Sequence, residues 1–255
     1  MSNYLPVIGI TMGDAAGVGP EIIVKSLAHD IVYKQCRPLV IGDARRLERA
    51  NEIVGGNARI RRIKEAAEAR YEPGTIDCID LDLIPADMPF GQLSAVAGDA
   101  AYQFIARAVQ LAEAKQIDAI CTAPLNKEAL HAGGHKFPGH TEMLARLTGS
   151  RVAMMLASEK LRVVLATTHI ALRDVVSAVR PEVIEEAATI TRQGLQEWFD
   201  IANPKIALCA LNPHASDGGR FGDEEARVLE PAARAARIAG PFPADTVFVR
   251  AMRGE

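Results

Sequence analysis

Short apolar runs alternate with amphipathic stretches along the whole chain. Short apolar runs bounded by turn residues predict buried strands, and apolar positions that recur every third or fourth residue predict helices. The predicted strands are Val7–Thr11, Pro38–Ile41, Ala119–Ala123, Val152–Leu156, Val163–Thr167, Ile206–Leu211 and Thr246–Val249. The predicted helices are Pro20–Leu27, Ala44–Ile53, Ala97–Ala114, Thr141–Leu147, Pro181–Phe199 and Asp223–Ile238, the last kinked or divided at Pro231. This alternation predicts an α/β fold with a largely parallel sheet.

Loops rich in Gly, Asn, Thr and His follow the predicted strands that end near Thr11, Ala123, Thr167 and Leu211. In parallel α/β folds, ligands bind in the loops beyond the carboxyl ends of the strands. We therefore treat these loops as the candidate functional segments.

The first of these loops, Gly13–Glu21, has glycines that permit a tight turn and a proline, Pro20, suited to the start of a helix. Such a turn before a helix can hold a phosphate or another anion. Ile22 stands where a dinucleotide fingerprint needs a third small residue, and the chain contains no P-loop. An anion site and a plain tight turn both stay open, whereas a P-loop phosphotransferase is disfavoured.

The second loop follows Thr122 and continues to His140 and Thr141. Thr141 is a candidate helix N-cap, which would direct His140 at an anionic substrate near the positive end of the helix. His131 and His135 have the spacing of two metal ligands on a helix, but two glycines stand between them. We therefore favour ordinary surface histidines over a metal pair at these positions.

The third and fourth loops each offer one histidine at a strand end, His169 and His214. Two imidazoles from adjacent strand ends could share a divalent metal and leave positions open for substrate oxygens. On spacing alone, a purely structural role for the two histidines is the commoner outcome.

Composition narrows the function classes. The formal net charge is −3, charged residues make up 24% of the chain, and no basic stripe is visible, which argues against a nucleic-acid binder. The apolar stretch Val152–Ala157 is far shorter than the roughly 20 residues of a membrane span. No signal peptide pattern is visible, and the 4 cysteines form no CxxC pair, so we expect buried free thiols in a cytoplasmic protein.

Six ordered segments together resemble the 4-hydroxythreonine-4-phosphate dehydrogenase family. They are Gly13–Glu21, Thr122–Glu128, Pro138–Glu142, Ala166–His169, Leu211–Ala215 and Gly240–Thr246. The family includes dehydrogenases of 4-phospho-D-threonate and 4-phospho-D-erythronate, and the segment from Thr122 to His131 is more similar to the phospho-threonate branch.

The resemblance implies an NAD-dependent, divalent-metal-dependent dehydrogenase that oxidises a secondary alcohol and then releases the adjacent carboxylate. The implied substrate is 4-phospho-D-threonate or 4-hydroxy-L-threonine 4-phosphate, within pyridoxine biosynthesis or carbohydrate metabolism. The implied metal ligands are His169 and His214, with Zn, Mg and Co not distinguished. The implied substrate contacts are His140 and Thr141, and no catalytic residue is singled out.

The resemblance also implies a homodimer with its active site near the interface. We expect two α/β/α lobes with a cleft between them, residues 1–123 and residues 124–255, the second carrying the histidine loops and the dimer contacts. Ala15 stands where relatives usually carry proline.

Relatives continue beyond Glu255 with a third metal histidine and further Lys, Asn and Arg substrate contacts. The C-terminal part of the family fold is therefore expected to be missing here. This leaves an alternative, a catalytically incomplete α/β protein that dimerises or binds a phosphorylated ligand without turnover.

Overall fold

The computed structural model describes residues 4–255, which divide into two compact units. The N-terminal unit ends at Ser150 and the C-terminal unit is Arg151–Glu255. The elements of the N-terminal unit are β1 (Val7–Thr11), α1 (Gly19–Leu27), α2 (Asp30–Gln35), β2 (Arg37–Gly42), α3 (Ala44–Ile53), β3 (Arg59–Ile63), β4 (Thr75–Asp80), α4 (Ala95–Glu113), β5 (Ala119–Thr122), α5 (Lys127–Ala132) and α6 (His140–Thr148).

The strands of the N-terminal unit form one parallel sheet in the order β3-β4-β2-β1-β5. Central strand β2 is apolar after its first residue, Arg37, and Leu39, Val40 and Ile41 are fully buried, as expected for a strand covered on both faces. The chain crosses from β4 to β5 in the direction opposite to its crossings from β1 to β2 and from β2 to β3. Because such crossovers are right-handed, α4 covers the face opposite to α1 and α3. The predicted α/β fold with a parallel sheet is confirmed in this unit.

Two strands of this sheet, β3 and β4, were not predicted from the sequence pattern. Strand β3 (Arg59–Ile63) carries three arginines and lies at the sheet edge, and its partner β4 mixes apolar residues with aspartates. Arg61 of β3 lies opposite Asp77 of β4 in the register and donates a hydrogen bond to it. In these two strands, an ion pair across neighbouring strands replaces the apolar alternation from which strands are predicted.

Helix α4 makes its closest approach to α5 at Gly98. A Cβ atom on Gly98 would lie 1.9 Å from the carbonyl oxygen of Ala129, a distance that no side chain tolerates. Because α5 and α6 both pack on α4, they belong to the N-terminal unit. The boundary between the compact units therefore falls at Ser150 rather than after Ala123, where the sequence placed it.

The C-terminal unit has shorter elements. They are β6 (Met155–Ala157), β7 (Arg162–Val164), α7 (Val175–Ala178), α8 (Pro181–Glu197), β8 (Ala207–Cys209), α9 (Glu230–Ala236), β9 (Ala239–Phe242) and α10 (Val247–Met252). Strands β6 and β7 form an antiparallel pair, and β8 and β9 form a separate parallel pair. The largely parallel sheet predicted for the second lobe is therefore not what the described residues form.

Two further predictions in the C-terminal unit can be compared with the structure. The predicted strand Thr246–Val249 is wrong: α10 covers this segment, because Pro243 accepts a hydrogen bond from Val247 and Thr246 accepts one from Arg250. The predicted division of the last helix at Pro231 is confirmed. A π-helical turn, Glu225–Leu229, precedes α9, since Pro231 has no N–H group to continue regular helical bonding.

Cys78 is buried as expected, but Cys121 is exposed because it lies on β5, at the edge of the sheet. Across residues 4–255, no helix combines the length and the apolar character needed to cross a membrane.

We predict that Gly98→Ala destabilises the protein by about 1–3 kcal/mol, because the added methyl group forces α4 and α5 apart. Chemical unfolding measures this change. Gly194→Ala on α8 is the matched control, since its Cβ would meet only the ring of Trp198 at 3.3 Å, which is 78% exposed and free to move. Equal stability of the two variants would contradict the close approach.

We predict that Asp77→Asn lowers the free energy of unfolding at pH 7 by about 1.5–3 kcal/mol, the contribution of hydrogen bonds to a charged group. Burial raises the pKa of Asp77, but hydrogen bonds from Arg61, Tyr71 and Arg70 outweigh it and hold the pKa below its ordinary value of 3.8.

The stabilisation from Asp77 is therefore present above pH 3.8 and is lost as the pH falls towards the depressed pKa of the folded state. The difference in stability between wild type and Asp77→Asn should narrow on acidification. Asp87→Asn, at an exposed position, is the control and should show no such pH-dependent difference.

Candidate functional site

The loops that follow β1 and β5 close against each other at the carboxyl edge of the sheet. The N–H of Asp14 donates to the carbonyl oxygen of Pro124 at 2.9 Å, and the N–H of Ala123 donates to Thr11 at 3.0 Å. Gly13 has φ +69°, and a Cβ there would lie 2.3 Å from the Pro124 oxygen, so only glycine fits. This contact holds the start of the second candidate loop.

A buried arginine anchors the first loop from its other side. Arg46 on α3 donates from Nε to the carbonyl oxygen of Ala15 at 2.6 Å and from Nη1 to that of Met88 at 2.8 Å. Its guanidinium stacks over the Phe90 ring at 3.5 Å. The adjacent cavity of about 540 Å³ is lined by α3 and residues 84–90, and none of the predicted site residues lines it. Sequence reasoning missed Arg46 because an arginine on an amphipathic helix is ordinarily exposed.

The second loop delivers His140 and Thr141 to the first turn of α6. The helix begins at His140, and the extended residue Gly139 is its N-cap. The prediction that Thr141 is the N-cap is therefore wrong: Gly139 takes that position because its carbonyl accepts the hydrogen bond from Met143. The placement of His140 at the helix N-terminus is confirmed, and the backbone N–H groups of this turn are those that a helix leaves without internal partners.

The His140 side chain is poised to receive a ligand. Its Nε2 atom is buried, and no residue between positions 4 and 255 offers it a hydrogen bond. Burial also lowers the pKa of His140 below 6.5, so the ring is neutral at pH 7. Leaving a buried polar atom without a partner costs about 1–3 kcal/mol, and a bound polar group would recover it.

His131 and His135 do not form a helical metal pair. Helix α5 ends at Ala132, as the glycines after it predicted, so His135 lies in the following segment. His135 is half-buried and bonded to Asp99 of α4 at 2.7 Å, so it is no ordinary surface histidine. His131 is exposed, and its Nε2 bonds to the carbonyl oxygen of Phe137 at 3.1 Å.

The two predicted metal ligands lie in the C-terminal unit. His169 follows β7 and His214 follows β8, and both side chains are exposed. Strands β7 and β8 belong to different two-stranded sheets, so the expectation that the histidines leave adjacent strands is wrong. Within the described part of the chain, no group of three or more His, Cys, Asp or Glu side chains is arranged to hold a metal ion.

The loop that carries His214 is strained and held by side chains. Ala215, Ser216 and Asp217 all have positive φ, which costs about 1–3 kcal/mol for each such residue and persists only where the surroundings impose it. Asn212 imposes it here: its Oδ1 atom accepts hydrogen bonds from the N–H of His214 at 3.0 Å and of Ser216 at 3.3 Å. Strain of this kind concentrates at functional sites.

Glu225, which lies in the π-helical turn, fixes the side chain of Asn212. Its Oε1 atom accepts hydrogen bonds from the N–H of Leu211 at 3.2 Å and from the amide of Asn212 at 3.4 Å. Sequence reasoning assigned Asp223, Glu224 and Glu225 together to the start of a helix. Only the fold decides which of the three carboxylates turns inward, so no local signal could have found Glu225.

Two named relatives align with 99% or more of this chain. The chain is 59% identical to the D-threonate 4-phosphate dehydrogenase of Cupriavidus necator, with 100% of this chain and 78% of the relative covered. It is 45% identical to the 4-hydroxythreonine-4-phosphate dehydrogenase of Desulfosudis oleivorans, with 99% and 77% covered.

A solved structure gives the same answer for the fold. The crystal structure of a 4-hydroxythreonine-4-phosphate dehydrogenase from Burkholderia phymatum matches with a TM-score of 0.90 and 61% identity, covering 99% of this chain and 78% of that one. The family profile described as pyridoxal phosphate biosynthetic protein PdxA matches residues 34–255. The chain therefore belongs to the PdxA family.

Proposed function

We propose that this protein is a dehydrogenase of 4-phosphorylated hydroxy acids, with D-threonate 4-phosphate as its first candidate substrate. The observation that carries this proposal is the 59% identity to a relative named for that substrate, over the whole chain. 4-Hydroxythreonine 4-phosphate is the second candidate: the relative from Desulfosudis oleivorans named for it is 45% identical, and the solved structure from Burkholderia phymatum named for it is 61% identical.

In this proposal, His140 and Thr141 hold an anionic group of the substrate. A buried Nε2 atom without a protein partner and the N-terminus of α6 are both suited to anionic oxygens. Because His140 is neutral before binding, its Nε2 atom can donate a hydrogen bond in one tautomer. An approaching anion favours the protonated ring and strengthens this contact.

NAD and a divalent metal belong to the same proposal. NAD would supply the hydride acceptor for oxidation of the secondary alcohol to a ketone, and the adjacent carboxylate would leave as CO₂. The metal would supply a Lewis acid for the charge that develops on the substrate oxygen.

His169 and His214 fit a metal in their chemistry, since imidazole suits divalent zinc. Both rings are exposed, and the backbone of His214 is held by Asn212. In this proposal, the chain would contribute these two imidazoles as ligands.

The family resemblance leads us to propose a cytoplasmic homodimer as well. Ile170, Leu172 and Val176 are exposed apolar side chains in one segment of the C-terminal unit, and Leu172 is 88% exposed. Such a concentration of exposed apolar side chains is typical of protein interfaces.

We expect the purified protein to form NADH with D-threonate 4-phosphate and a divalent metal, and we expect His140→Asn to raise the KM about 10–100-fold. The size follows from losing a hydrogen bond to a charged group, about 1.5–3 kcal/mol. Steady-state absorbance at the NADH wavelength measures it.

His29→Asn, at the exposed N-cap residue of α2, is the matched control and should leave the KM unchanged. A KM for His140→Asn equal to that of the control would remove His140 from the substrate site. Absence of turnover with either phosphorylated acid in the wild type would refute the dehydrogenase proposal and leave a protein that binds without turnover.

We expect His214→Ala to abolish metal binding and to leave the folded state intact, because the side chain is exposed and its ring lies 5.6 Å from the Phe221 ring between centroids, too far for tight packing. Metal content after dialysis and the thermal unfolding midpoint are the two measurements. Normal metal content together with an unfolded variant would mean that His214 is a packing residue instead. His29→Ala is the control for nonspecific metal binding by surface histidines.

A further inference from the structure

Residues 133–139 connect α5 to α6 and end directly before His140. This connecting segment contains no helix or strand, so its position depends on the contacts of its side chains and backbone. Because His140 is the first residue of α6, any movement of the connecting segment moves the ring that is proposed to bind substrate.

Helix α4 holds the connecting segment through Asp99 and Tyr102, which lie three positions apart and therefore on the same face of the helix. The Nε2 atom of His135 lies 2.7 Å from Oδ1 of Asp99. The His135 ring stacks on the Tyr102 ring with centroids 3.8 Å apart and an interplanar angle of 10°. His135 is thus fixed both in direction, by the hydrogen bond, and in plane, by the stack.

A second set of contacts holds the segment closer to His140. The Tyr102 ring also stacks with Phe137, at 6.2 Å and 12°. The carbonyl oxygen of Phe137 bonds to Nε2 of His131 at 3.1 Å, and the N–H of His135 donates to Leu130 at 3.0 Å. The segment is therefore tied to α4 on one side and to α5 on the other.

The backbone allows this arrangement because two glycines bring α4 and the segment together. A Cβ atom on Gly133 would lie 2.5 Å from the N atom of Asp99, and Gly98 meets α5 in the same way. Beneath the contacts, Ile105 of α4, Leu130 of α5 and Met143 of α6 form one buried cluster. The three helices thus pack on one buried cluster, and the segment packs closely against α4.

We propose that Asp99, Tyr102 and His135 are positioning residues for substrate binding: they set the connecting segment against α4 so that the His140 ring faces the substrate's anionic group. The inference rests on the substrate-binding role proposed for His140 and extends it to a set of residues on another helix. A metal site is not the better interpretation, because the Nε2 atoms of His131 and His135 already bond to protein oxygens.

The test compares Asp99→Ala with Asp99→Asn in steady-state kinetics with D-threonate 4-phosphate. We expect Asp99→Ala to raise the KM about tenfold with kcat within twofold of wild type, since a displaced ring weakens binding equally before and during the reaction. Asp99→Asn should rescue the KM, because its amide oxygen still accepts the hydrogen bond from His135.

His135→Phe keeps a ring to stack on Tyr102 and loses only the hydrogen bond, so it should raise the KM as Asp99→Ala does even if Asp99→Ala folds poorly. Arg107→Ala is the control: it removes an ion pair of 3.1 Å between α4 and Glu65, and the side-chain hydrogen bonds of Arg107 go to Glu65 and Gln110, outside the connecting segment. Its KM should match that of wild type.

A second readout does not need activity. The chain has 6 histidines, so ring signals can be resolved by ¹H–¹⁵N NMR, and the His140 signal is assigned by its loss in His140→Asn. We expect the His140 signal to move in Asp99→Ala and His135→Phe and to stay in place in Asp99→Asn and Arg107→Ala.

An unchanged His140 signal in both Asp99→Ala and His135→Phe would overturn the inference, as would a KM defect of equal size in Asp99→Asn. A loss of thermal stability without any change in KM or in the His140 signal would mean that these contacts contribute only to packing. If the wild type lacks dehydrogenase activity, the proposed function fails separately, because the NMR comparison still tests the positioning itself.

Discussion

The close approach of α4 to α5 at Gly98 is the constraint on which the rest of the N-terminal unit depends. It brings the backbones of α4 and α5 into direct contact. Helices α5 and α6 therefore belong to the same compact unit as the five-stranded sheet instead of starting a new one. The same approach puts Asp99 and Tyr102 within reach of His135. The candidate site at the start of α6 therefore lies on helices packed in the same compact unit as the sheet, which suits a binding geometry.

Buried polar side chains do for the loops what apolar packing does for the sheet. Arg46 holds the first loop by donating to carbonyl oxygens, and Glu225 holds Asn212, which in turn holds the strained residues after His214. Each is a group that costs free energy to bury unless it finds its partners. Because such a group is stable in the interior only when its hydrogen bonds are made, it holds the adjacent loop in one conformation.

The sequence pattern was sufficient where one physical effect dominates. Apolar runs predicted β1 with its observed bounds, and Pro231 predicted the division of the last helix. It failed where tertiary contacts compensate for an unfavourable local pattern. Two arginines of β3 have acidic partners, Asp77 for Arg61 and Glu48 for Arg62. The short run Thr246–Val249 becomes helical because a proline carbonyl starts the turn.

The sequence by itself determined the family, the parallel α/β character of the N-terminal unit and the histidines that are candidate site residues. Ordered motifs and hydrophobic periodicity are local properties of the chain. Only the tertiary structure decided that His140 carries a buried atom without a protein partner, that β7 and β8 belong to separate sheets, and that Asp99 meets His135. These facts depend on residues far apart in sequence. Burial and pairing are set by the packing of whole elements, which no local pattern encodes.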